Sequence, residues 1–159
     1  MKEISIIISK RDVFEEVGLQ TSYAGLKNDN NSGFYQRVAA LKQDEALLNR
    51  FWSIVCGKVA DYLQGLVREY SDSADSFSLQ LEVSGAYDDV MTPSVRSDLF
   101  NAMWSGVGAA WFDLTYPEKG EEWHLKEEQF LKSMLSKLSQ RRKPMRSISF
   151  MTTNENEKI

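Results

Sequence analysis

The chain of 159 residues has the length of one domain, and its 42% apolar, 26% charged and 11% aromatic composition excludes wholesale disorder. Nineteen Lys and Arg against 23 Asp and Glu leave a formal charge of -4, so no net basicity draws the whole molecule to nucleic acid or anionic lipid and any such contact must be local. The single cysteine, Cys56, excludes an intramolecular disulfide and any paired-cysteine metal site.

Met1-Lys2-Glu3 and the short apolar run behind it lack the apolar region and cleavage site of a secretion signal. No stretch approaches about 18 uninterrupted apolar residues, so the expectation is a soluble, unexported chain with no membrane partner. Residues 1–150 are expected to form one helix-rich domain and residues 151–159 a flexible C-terminal tail.

Ile4, Ile6 and Ile8 share one face at period two, and β-branched side chains favour a pleated surface, so a short strand opens the chain. Ser9 with Asp12 three positions on is a cap pattern for a brief helix bearing Val13, Phe14 and Val17 on one side, with Gly18 placed to end it. Periodicity fades from Leu19 to about Gln43, and Lys27-Asn28-Asp29-Asn30-Asn31-Ser32-Gly33 predicts an exposed, turn-rich loop. Beyond Asp44, an N-cap candidate, Leu48, Trp52, Val55, Val59, Tyr62, Leu66 and Tyr70 recur at steps of three and four, which predicts a helix. A polar break at residues 71–76 precedes a second strand, in which Phe77, Leu79, Leu81 and Val83 alternate with Ser78, Gln80 and Glu82.

Thr92 followed by Pro93 starts a helix that should run to about Thr115. Val95, Leu99, Ala102, Gly106 and Ala110 form one apolar stripe on it, and Phe100, Trp104, Val107 and Trp111 form another beside it. Such a helix is either the centre of the fold, the preferred reading, or offers part of its surface to a partner chain. The small residues of Ser105-Gly106-Val107-Gly108-Ala109-Ala110 lack the lysine and threonine of a phosphate loop, so close packing explains them better than nucleotide binding. Pro117 begins a last helix, acidic early (Glu118, Glu121, Glu122, Glu127, Glu128) and basic late (Lys132, Lys137, Arg141, Arg142, Lys143), an order that complements the helix dipole. Trp123, Phe130, Met134 and Leu138 supply its apolar face, and Pro144 ends it. Residues 146–151 alternate weakly, as an added strand would. The sum is an α+β class, mainly helical, with three or four helices packed on a small sheet of short strands.

The only histidine, His124, lies on a helix crowded with glutamates, and a solvated ion-pairing role is preferred over a catalytic base. Cys56 sits between apolar positions and is read as a small buried side chain. Asp88-Asp89 is read as a turn former without further oxygen ligands at loop spacing, and Glu121, Glu122, Glu127 and Glu128 as a solvated acidic face lacking the repeated Glu-x-x-His pattern of a di-metal bundle. No catalytic residue, metal site or cofactor is expected. Lys137, Arg141, Arg142, Lys143 and Arg146 form the one local basic concentration, a candidate contact for phosphates or for acids of a neighbouring subunit.

Several segments together resemble known proteins: Thr21-Ser22-Tyr23-Ala24-Gly25-Leu26-Lys27, then Leu48-Asn49-Arg50-Phe51-Trp52, and a strand from Leu79 to Ser84 with Asp88 after it. Pro93-Ser94-Val95-Arg96-Ser97-Asp98-Leu99-Phe100, Trp111-Phe112 and a closing Arg141-Arg142-Lys143-Pro144 complete the order. Over residues 9–146 it resembles small structural proteins of tailed bacteriophages and prophages of gut Bacteroidetes, and more loosely helical head-to-tail adaptor (connector) proteins. The resemblance implies a non-enzymatic virion protein, assembled in host cytoplasm and resident in the neck or tail. Its implied partners are further copies in a ring, the portal protein, a neighbouring neck or tail protein, and genomic DNA contacted non-specifically in the channel. Ring contacts would fall on Phe100, Trp104, Val107 and Trp111, and partner or DNA contacts on Arg141, Arg142, Lys143 and Arg146. The two strands exceed what a purely helical adaptor needs and bring in a tail terminator or other neck ring protein. A non-viral module dimerising through Phe100, Trp104 and Trp111 is the alternative of another class, and an enzyme using the Glu121 to Glu128 acids is the least favoured.

Overall fold

The computed structural model of the protein describes residues 1–27 and 38–143. Strand β1 (Lys2–Ser9) buries Ile4, Ile6 and Ile8 and exposes the residues between them, as period-two alternation requires. Helix α1 (Lys10–Lys27) does not stop at Gly18, because its buried stripe continues through Thr21 and Gly25 at four-residue spacing after Val13 and Val17. A threonine and a glycine carry no hydrophobic signal, which is why the expected helix is too short. Thr21 is satisfied inside: its Oγ1 donates to the Val17 carbonyl at 2.8 Å and accepts from the Ala40 N–H at 2.9 Å.

A single 3-10 turn (Lys42–Asp44) leads into α2 (Glu45–Tyr62), whose inner face is Leu48, Trp52, Val55, Cys56, Val59 and Ala60. The helix ends eight residues before Tyr70. Past Gly65 the chain turns into strand β2 (Val67–Asp72), which the spacing of Leu66 and Tyr70 had assigned to helix. Pairing with the next strand decides it: Tyr70 stands opposite Leu79 and packs on Phe77 with ring centroids 6.2 Å apart. Strand β3 (Ser76–Val83) lies centrally in an antiparallel sheet ordered β1-β3-β2, with Ile4, Ile6 and Ile8 opposite Leu81, Leu79 and Phe77.

Helices α3 (Thr92–Thr115) and α4 (Pro117–Leu138) form an antiparallel hairpin about the single non-helical residue Tyr116. Helix α3 is the centre of the fold, packed by α1, α2, α4 and β1, which accounts for an apolar surface on nearly every side. Among the described residues the chain is thus an α+β structure, mainly helical, with four α-helices and one three-stranded sheet. After α4 the chain returns to the end of β3, where the Arg142 N–H donates to the Ala86 carbonyl at 2.7 Å and Arg141 bridges Tyr87. Residues 28–33 of the expected loop, the expected strand at 146–151 and the tail at 151–159 lie outside the described residues. No described helix is long and apolar enough to cross a membrane.

Candidate functional site

The run Ser105-Gly106-Val107-Gly108-Ala109-Ala110 is a seat for α4. A Cβ on Gly108 would lie 2.3 Å from Trp123 Cζ3, and one on Gly106 would lie 2.7 Å from Glu127 Oε1. Trp123 fills this notch edge-on to Phe112 and Trp104, at centroid distances of 4.7 and 5.2 Å.

Around the notch stand the polar side chains a reaction would need, and each is engaged in packing elements together. Glu127, expected on a solvated face, is 1% exposed, since it lies four residues from both Trp123 and Leu131 on the buried stripe. Its Oε2 accepts from Lys58 Nζ of α2 at 2.8 Å and lies 3.7 Å from His124 Nδ1, while its Oε1 has no hydrogen-bond partner. Lys58 is half exposed, reaching in from the surface with its stem along α2. His124 is half exposed, and its Nε2 lies 2.7 Å from Asp113 Oδ2, so its hydrogen-bond partner is an acid of the neighbouring helix α3. Glu121, Glu122 and Glu128 are on the surface as expected. Glu122 is held below the usual carboxylate range by its hydrogen bond from Lys119, with Lys126 adding to the effect.

A second internal pair ties the far end of the hairpin. Asp98 is 7% exposed, and its Oδ2 accepts from Ser133 Oγ at 2.8 Å and Lys137 Nζ at 2.6 Å. Lys137 is therefore not part of a free basic cluster. Its partner was visible in the sequence as a carboxylate between Val95, Leu99 and Ala102 on an apolar stripe. Cys56 is buried in α2, and burial, with the Asp72 carboxylate second, pushes its thiol well up, away from reactive thiolate. Asp88 accepts from the Val90 N–H in a turn, and Asp89 pairs with Lys2. Among the described residues no group of three or more His, Cys, Asp or Glu side chains converges to hold a metal ion.

The stripe expected to meet other subunits is largely internal. Val107 is fully buried, and Trp111 is buried with its Nε1 donating to the Val38 carbonyl at 2.6 Å. Both belong to this chain's own core. Phe100 and Trp104 are partly buried against that core, Trp104 donating from Nε1 to Asn101 Oδ1 at 2.9 Å. A contact surface built on all four, including the dimer stripe through Trp111, would require the core to open. Arg141, Arg142 and Lys143 are exposed side by side at the end of the hairpin, and Arg146 lies outside the described residues. Comparison with protein-family models, with curated proteins and with solved structures finds no match to the chain.

Proposed function

We propose that the protein is a virion structural component of a tailed-phage neck, first the head-to-tail adaptor ring between portal and tail, and second a tail terminator or other neck ring. The observation that carries this reading is the division of its charges. His124, Glu127, Asp98 and Lys137 are used within the chain to lock helices together, whereas Arg141, Arg142 and Lys143 are exposed, the first two anchored by backbone contacts at Tyr87 and Ala86. Three adjacent cations on a fixed support suit an acidic partner surface or the phosphates of passing DNA. The ordered segments that resemble phage structural proteins supply the class of partner. The second assignment is favoured by the three-stranded sheet, which an all-helical adaptor does not need.

Light scattering of the purified chain and negative-stain images of it mixed with the candidate portal test the reading. Rings, alone or on the portal, are the expected outcome. A monomer that leaves the portal bare at high concentration would refute it.

A further inference from the structure

The two edges of the sheet differ. Strand β2 carries Arg68, Glu69 and Asp72, has a register shift between Val67 and Glu69, and is exposed along most of its length, all devices that discourage a further strand. Strand β1 has none of them beyond its first two residues. It pairs with β3 in unbroken register from Lys2 to Ser9, and its charges are confined to its first two positions and neutralised by Asp89 and Arg68. Residues 4–9 are then uncharged and rich in isoleucine, with neither proline nor glycine. Among the described residues the backbone groups of Lys2 to Ile8 bond only to β3, so every second N–H and C=O along this outer edge has no described partner.

There is room for a strand beside it. Two adjoining hollows of about 240 and 500 Å3 lie between β1 and the first turns of α3, and both are bordered by Pro93 and Arg96. The larger is lined by the consecutive residues Ser5, Ile6 and Ile7, so it follows the backbone edge and not one face of the strand. Phe100 lines the smaller, offering an apolar seat.

We propose that this edge takes residues 146–151 of a second copy as an antiparallel fourth strand. Ser147-Ile148-Ser149-Phe150 has the alternation of a half-buried strand, and 16 residues follow Lys143. The position of Lys143 selects the second copy. Arg142 is fastened to Ala86, three residues beyond Val83, and Val83 stands opposite Lys2. A chain's own tail therefore starts at the Lys2 end of β1 and can join it only in parallel. To join it antiparallel the tail must first travel the length of β1, about 26 Å, and residues 144–146 span only about 10 Å. Both ladders of this sheet are antiparallel, the stronger pairing per residue, and a neighbour's tail can enter from the Ser9 end. Donation of a tail from one copy to the edge of the next is a heterologous contact, which closes a ring when the rotation between copies allows. The strand exchange stands on the sheet edge alone; its role in a neck ring rests on the function proposed above.

The full-length chain and its Ile148→Asp/Phe150→Asp double variant are compared by light scattering from dilute to concentrated solution and by amide exchange. The wild type is expected to self-associate, with exchange at residues 4–9 slowed at least about tenfold. The double variant should be monomeric, fast at residues 4–9 and still protected in α3, which shows that it is folded. A peptide of residues 144–159 should restore protection to the variant, and the same peptide carrying Ile148→Asp should not. Assembly of the double variant at wild-type strength, or a wild-type monomer with unprotected residues 4–9, would overturn the proposal. A monomer whose residues 4–9 are protected only when Ile148 and Phe150 are intact would overturn the second copy as donor. Rings of the double variant on the portal would reject strand donation and leave the neck function standing, whereas strand donation by a protein that ignores the portal would do the reverse.

Discussion

Replacing Gly108 by alanine tests whether the α3–α4 contact is as tight as its geometry states. The new Cβ would stand 2.3 Å from Trp123 Cζ3 and 2.6 Å from Cε3, against an ordinary contact of 3.4 Å or more, so the indole must retreat by about 1.1 Å. It has little freedom to do so, since Phe112 and Trp104 contact it edge-on at 4.7 and 5.2 Å and Lys126 lies over it at 5.3 Å. Overpacking of this kind costs about 1–3 kcal/mol or more, and the helix preference of alanine over glycine returns only about 1 kcal/mol. The net expectation is a loss of up to about 2 kcal/mol, lowering the melting temperature by up to about 8 °C. Gly57 of α2 has nothing within 4 Å of its Cβ position, so Gly57→Ala should stabilise by about 0.5–1 kcal/mol through backbone entropy alone. Gly106→Ala should fall between the two, because its nearest obstructions, Glu127 Oε1 at 2.7 Å and Val55 Cγ2 at 3.1 Å, are less close than those at Gly108. Urea midpoints at unchanged m-value give all three numbers. If Gly108→Ala is as stable as Gly57→Ala, the close approach of α4 to α3 is refuted.

Lys137→Met should cost about 1–3 kcal/mol, because it leaves the Asp98 carboxylate buried with only Ser133 as donor, and adding Asp98→Leu should recover most of that; additive effects in the double-mutant cycle would count against a coupled pair. Changing Arg141, Arg142 and Lys143 together to serine should alter stability by no more than about 0.5 kcal/mol while weakening portal or DNA binding and flattening its salt dependence; an unchanged salt slope would remove these residues from the contact. The Cys56 thiol, raised by burial, keeps its proton in the folded chain above about pH 8.5, where the unfolded chain releases it. Folding is therefore favoured below that pH and the contribution is lost as pH rises, by up to about 1.4 kcal/mol per unit. Cys56→Ala should flatten the urea midpoint against pH on the alkaline side, and an identical slope in both proteins would contradict the shift.

Elements with a single, sustained period were legible from residues alone. The Ile4-Ile6-Ile8 and Phe77-Leu79-Leu81 alternations are strands. Pro117 marks a helix start to the residue and Thr92-Pro93 does so within one, Thr92 being the first helical residue after the N-cap Met91 and making no side-chain cap. Misreadings arose where a competing contact decided the outcome. Helix α1 runs past Gly18 because Thr21 and Gly25 continue its inner face without apolar side chains, and Tyr70 keeps helical spacing yet joins the sheet because β3 offers it a partner, while Leu66 falls in the turn before β2. The candidate site was less legible still. Glu127 looked like one of several solvated glutamates, although its spacing from Trp123 and Leu131 put it on the buried stripe, and its partner Lys58 is 69 residues away.

The apolar circumference of α3 raised two possibilities, a helix enclosed by its own chain or one awaiting another, and spacing alone does not separate them, since it reports how many faces are apolar and not what covers each. Helices α1, α2, α4 and strand β1 cover them here, so Val107 and Trp111 are used up inside the fold. The surface proposed above for further copies lies elsewhere, and side-chain patterning is a poor guide to it when the recognising groups are backbone N–H and C=O. Such an edge marks the sequence mainly by what it omits: β2 has charges and a register shift, whereas Ile4-Ser5-Ile6-Ile7-Ile8 has neither. An unguarded edge of that composition is an aggregation hazard for a chain that stays monomeric. The strand exchange proposed above would remove that hazard by placing a partner strand on the edge.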